Sequence, residues 1–73
     1  MCLSVPAKVI EIYADEWRAK VDYLGSAKTV GIGMLDEVRP DQYVLVHAGE
    51  AIQIIDEQSA LESLHYWKEV LEL

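Results

Sequence analysis

Turn-forming residues cut the first 55 residues of this chain into short apolar pieces, and that spacing limits the fold more than any other feature. Ala14-Asp15-Glu16, Gly25-Ser26, the stretch around Asp36, Pro40 and Asp41, and Gly49-Glu50 leave no room for a long helix between them. What lies between is rich in β-branched residues. Residues 7–13 (Ala7-Lys8-Val9-Ile10-Glu11-Ile12-Tyr13) read as a first strand. Residues 17–24 nearly alternate, with Trp17, Ala19, Val21 and Tyr23 on one face and Arg18, Lys20 and Asp22 on the other. They predict a second strand, in a hairpin with the first. Residues 28–32 give a third, with Val30 and Ile32 on one side. Gly31 and Gly33 weaken it and point to a bulge, a bend or a close backbone approach. A turn is expected at Arg39-Pro40-Asp41-Gln42. Residues 43–48 form a strongly apolar fourth strand and residues 51–55 a fifth. These two read either as a tight hairpin or as one strand bent at the glycine.

The period then changes from two to 3.6. Ala60, Leu61, Leu64, Trp67 and Leu71 share a helical face, and Glu62, Tyr66 and Glu69 lie roughly opposite. Residues 57–71 therefore predict one helix. Ser59 through Glu62 matches a capping box, and Asp56 is an alternative cap for a longer helix. The expected fold is mainly β: a small, partly open, OB-like five-stranded barrel with one C-terminal α-helix covering its edge or mouth. Residues 1–73 make a single domain, with strands within 7–55 and a flexible tail at 1–6.

Composition narrows the function. A chain of 73 residues buries only about 60% of its unfolded surface, so its core is small. One cysteine excludes an internal disulfide, and no Cys/His zinc spacing is present. No transmembrane run or signal peptide is evident, and reduced thiols suit the cytoplasm. The net charge of −7 repels nucleic acid and anionic membranes, and favours a protein partner with a basic or apolar face.

The lone cysteine follows the initiator methionine, whose removal would leave Cys2 with both a thiol and a free α-amine. That amine, while charged, favours the neighbouring thiolate, the form that binds metal or attacks electrophiles. Pro6 fixes its own φ and biases Val5 toward extended backbone, so the tail is stiffer than an ordinary free end. On residues alone the plainer readings lead: Cys2 as a small buried hydrophobe or idle terminal residue, and His47 as a strand histidine bonded to a backbone carbonyl.

Three segments taken together change that weighting: Met1-Cys2-Leu3-Ser4-Val5-Pro6, Tyr43-Val44-Leu45-Val46-His47-Ala48-Gly49, and Ala51-Ile52. The chain resembles the HypC/HupF/HoxL family of small chaperones for maturation of NiFe hydrogenases, over its whole length. The resemblance implies an OB-like barrel and a binding module, not an enzyme. It implies two partners, a HypD-like maturation protein and the hydrogenase large-subunit precursor. It also implies a transient iron carrying cyanide and carbon monoxide ligands, with no permanent cofactor. Cys2 matches the family's essential cysteine, and His47 its strand-four histidine, as a second ligand or a hydrogen-bond partner of the thiolate. Cys2, Leu3, Val5, Pro6, Gly49 and Glu50 are the expected partner-binding residues. The chain departs from the family pattern at Glu50, where an aromatic is usual, and at Ala7 and Asp41, where glycine is usual. Two further readings compete: a small hydrolase using Cys2 as N-terminal nucleophile, and an OB-like interaction module without metal, with nucleic-acid binding disfavoured by charge.

Overall fold

The computed structural model describes residues 5–72. Five strands, β1 (Val5–Tyr13), β2 (Arg18–Tyr23), β3 (Ser26–Gly31), β4 (Tyr43–His47) and β5 (Glu50–Ile55), precede one helix, α1 (Glu57–Leu71). They close into a barrel in the order β1-β2-β3-β5-β4. All neighbours are antiparallel except β3 and β5, which meet in parallel at the single pair Gly31↔Glu50. This is the OB-like arrangement, with its closure resting on one bridge.

The interior explains the strand patterns. Ala7, Val9, Ala19, Val21, Val44 and Ala51 are fully enclosed, and Val5, Val30, Ile32 and Val46 nearly so. Alternation sends these inward and leaves charged residues such as Lys8 and Asp22 outside. The filling is almost entirely valine and alanine, which suits a lumen too narrow for larger side chains.

Positive φ values account for where the strands stop. Leu24 and Gly25 (φ 51° and 89°) and Ala48 and Gly49 (φ 53° and 80°) each form a two-residue loop with both residues left-handed, the type I′ geometry that matches strand twist. Strands β4 and β5 are thus a tight hairpin, and its loop begins one residue earlier than Gly49-Glu50. The Gly25 N–H donates to Asp22 Oδ1 at 2.9 Å and braces the other loop. The expected turn at 39–42 is present. Gln42 N–H donates to the Arg39 carbonyl at 3.3 Å, and Asp41 has φ 73° behind Pro40, the type II pattern. Asp41 N–H also donates to the Val9 carbonyl at 2.8 Å, which ties this loop to β1.

Three expectations need correction. Val5 and Pro6 belong to β1, paired with Val46 and Leu45, and not to a flexible tail; positions 1–4 of that tail lie outside the described residues. Trp17 is not on the inner face of β2: it follows a 3-10 turn (Ala14–Glu16) with φ 55° and is 66% exposed. Ser26 lies in β3, not in the turn before it.

The helix starts at the Asp56 cap, whose Oδ2 accepts the Ser59 N–H at 2.9 Å and whose Oδ1 accepts the Ser59 hydroxyl at 2.8 Å. These bonds hold the Asp56 carboxyl below its ordinary value, the backbone bond foremost. The helix packs on β1 and β4. Ala60 is its one buried residue; Leu64 and Trp67 are half-buried, while Leu61 and Leu71 stay nearly half exposed.

Candidate functional site

The expected site residues that lie among the described ones gather at one end of the barrel. Because β1 is antiparallel to β4, its first residue lies beside the end of that strand, whereas its pairing with β2 begins only at Lys8. Lys8 pairs with Asp22, and Val5 with Val46. The start of β1 and the Ala48-Gly49 tip therefore share one end, where Gly49 also meets Gly31, while the Leu24-Gly25 tip lies at the other end of β3. Cys2 and Leu3 fall outside the described residues, but the chain enters the described structure here, at Val5.

His47 is the last residue of β4 and is half-buried. Its strand neighbours Val44 and Val46 point inward, so His47 faces out of the barrel with Tyr43 and Leu45. Across the tip it pairs with Glu50, and a directly opposed pair projects from the same face of the sheet. Gly49 and Glu50 are exposed. A Cβ on Gly31 would run into both carboxylate oxygens of Glu50. The Glu50 side chain thus lies back across the Gly31 backbone and covers the one β3–β5 bridge. The close approach expected at Gly31 is therefore made by this carboxylate, together with the Gly31 N–H bond to the Gly49 carbonyl at 3.0 Å.

Val5 and Pro6 do not offer partner surface: Val5 is 4% exposed and the Pro6 ring is fully enclosed. Their place is to anchor the strand from which residues 1–4 extend. Ala7 fills core space with its methyl. Among the described residues no three of His, Cys, Asp and Glu converge on one point. Of the two expected metal donors, His47 is the one that the described part of this end contains, with the Glu50 carboxylate paired opposite it. His65, by contrast, sits 3.2 Å from Glu69 on the exposed side of α1.

Between β3 and the Ala48-Gly49 tip lies a cavity of 220 Å³, lined by Tyr23, Lys28, Val30, Val46, Ala48 and Gly49 among others. Val30 and Val46 give it an apolar floor, and the exposed Lys28 also lines it. Little in the residue pattern announces it, because the cavity depends on which strands fail to pair.

Comparison with known proteins decides the relationship. The sequence model of the HupF/HypC family matches residues 1–67. The chain belongs to this family. Hydrogenase maturation factor HypC of Helicobacter hepaticus is 41% identical over 73 residues, covering 99% of this chain and 84% of that protein. HypC of a Synechocystis species is 37% identical over 68 residues, 88% of this chain and 90% of that protein. Hydrogenase maturation factor HybG of Escherichia coli is 38% identical over 69 residues, 88% and 84% respectively.

Proposed function

We propose that this protein is a hydrogenase maturation chaperone. It binds a HypD-like maturation protein and the hydrogenase large-subunit precursor in turn, and helps deliver an iron carrying cyanide and carbon monoxide ligands. The Cys2 thiolate is the soft donor for that iron, and the protein acts as a binding module, not as an enzyme. The family match over residues 1–67 carries this reading.

Geometry supports it. Three residues span at most ~10 Å, so a thiol at position 2 stays near the barrel end where Val5 meets Val46. His47 and Glu50 stand at that end. His47 serves as a second ligand or as a hydrogen-bond partner of the thiolate. One protein sulfur on a short arm suits transfer, because a closed cage of ligands would hold the metal too firmly to release it.

The test is recovery of tagged protein from a hydrogenase-producing cell. Intact mass should lack Met1, and the recovered material should carry both partners and infrared bands of metal-bound cyanide and carbon monoxide. Cys2→Ala should lose the bands and the partners while its circular dichroism stays unchanged. Wild-type protein that keeps Met1, or that recovers neither partner, would refute the proposal.

A further inference from the structure

Strand β3 is hydrogen-bonded along one edge for its full length and along the other at a single point. Its ladder with β2 runs from Arg18↔Gly31 to Tyr23↔Ser26. Toward β5 it has only Gly31↔Glu50. Among the described residues nothing pairs with residues 26–30 on that side.

The direction of the unpaired groups follows from the ladder. In an antiparallel pair, alternate residues send both N–H and C=O to the same neighbour. Gly31 sends its N–H to Gly49, away from β2. Thr29 and Ala27, in step with Gly31, do the same. The β2–β3 loop agrees, since Tyr23 and Ser26 flank a two-residue turn and close it as a hydrogen-bonded pair. Ser26, Lys28 and Val30 thus bond to β2, while Ala27 and Thr29 present their backbone groups to the open edge. Residues 26–29 are all exposed. The 220 Å³ cavity, floored by Val30 and Val46, adjoins this edge.

We propose that the open edge of β3 is a strand-docking site for an extended segment of a partner protein. The segment bonds to Ala27 and Thr29, places an aliphatic side chain in the cavity, and sets a carboxylate opposite Lys28. Extended backbone is what such an edge recognises, and the adjoining pocket supplies the side-chain selectivity. Charge rules against a second copy of this chain. A two-fold pairing that matches Ala27 with Thr29 centres on Lys28 and sets that ammonium against itself. Both copies would also carry −7. A lysine on an edge strand keeps identical edges apart, and a carboxylate from a different chain neutralises it.

The inference depends on the proposed function only for the identity of the partner. Amide hydrogen exchange on the full chain tests it, alone and with the purified HypD-like protein or the large-subunit precursor. In the free protein the Ala27 and Thr29 amides should exchange about tenfold or more faster than those of Lys28 and Val30. One of the two partners should slow them to the rate of their neighbours. Thr29→Pro removes an outward N–H and spares the β2 ladder, so it should weaken binding about tenfold or more with the melting temperature retained. Thr29→Val should bind as wild type, and Lys28→Glu should bind more weakly. Binding with the two amides still fast, or full binding by Thr29→Pro, would overturn this inference alone. So would slow exchange in the free protein: concentration-dependent slowing would mean a second copy, and concentration-independent slowing the chain's own segment. Failure of wild type to bind either protein would overturn the functional reading and, with it, this occupant.

Discussion

Gly31 looks irreplaceable, being buried at the only bridge between β3 and β5, yet the structure predicts that it accepts alanine. Its φ lies outside the left-handed region, so no backbone strain attends a side chain there. The nearest atoms to an added Cβ are the two oxygens and the carboxyl carbon of Glu50. They form the far end of a flexible, exposed side chain and can swing away. Two terms then oppose each other. Replacing glycine by alanine at a compatible position stabilises by about 0.4–1 kcal/mol through the unfolded chain. Forcing Glu50 off its present rotamer costs about 0.5–1.5 kcal/mol at most. The net change for Gly31→Ala is within about 1 kcal/mol of zero, or roughly 8 °C in melting temperature for a domain of this size. Urea titrations followed by circular dichroism measure it. A double-mutant cycle with Glu50→Ala isolates the collision, and the coupling should be about 0.5–1.5 kcal/mol, with Gly31→Ala more favourable once Glu50 is shortened. A loss above about 2 kcal/mol, the scale of overpacking a rigid core, both with and without Glu50→Ala, would refute the reasoning.

Three further outcomes are expected. Val44→Ala removes two methyl groups from a fully enclosed site and should cost about 2–3 kcal/mol, whereas Val70→Ala, at a position 53% exposed, should stay within about 0.5 kcal/mol in the same urea assay. Ala48→Asn places the preferred residue at φ 53° ahead of Gly49 and should gain roughly 0.5–1 kcal/mol, read as a higher melting temperature. Asp56→Ala should lower thermal stability and helix content. Because the folded carboxyl lies below its ordinary 3.8, its stabilisation is present above about pH 4 and fades as pH falls through the folded value. The gap in melting temperature between wild type and Asp56→Ala should therefore narrow on acidification.

The barrel was legible where side chains alternate and obscure where the backbone turns left-handed. Ala19 and Val21 announce the inner face of β2 by their spacing. Trp17 continues that spacing but sits in the left-handed region after a 3-10 turn, and nothing in the residue type signals it. Ala48 is a similar case: glycine marks the turn, so the loop reads one residue late, although the hairpin geometry needs two left-handed residues. The helix showed its amphipathic face, but Leu61 and Leu71 on that face stay 49% and 45% exposed. At the site, the family motifs were readable in the residues. The open edge at Ala27 and Thr29 was not, because it follows from strand order and from a closure of one residue pair.

The valine and alanine filling of the barrel has one more consequence. A shell packed solid with methyl groups is a peg and not a vessel. Under the proposed function the load would therefore travel on the exterior and change hands without the shell having to open.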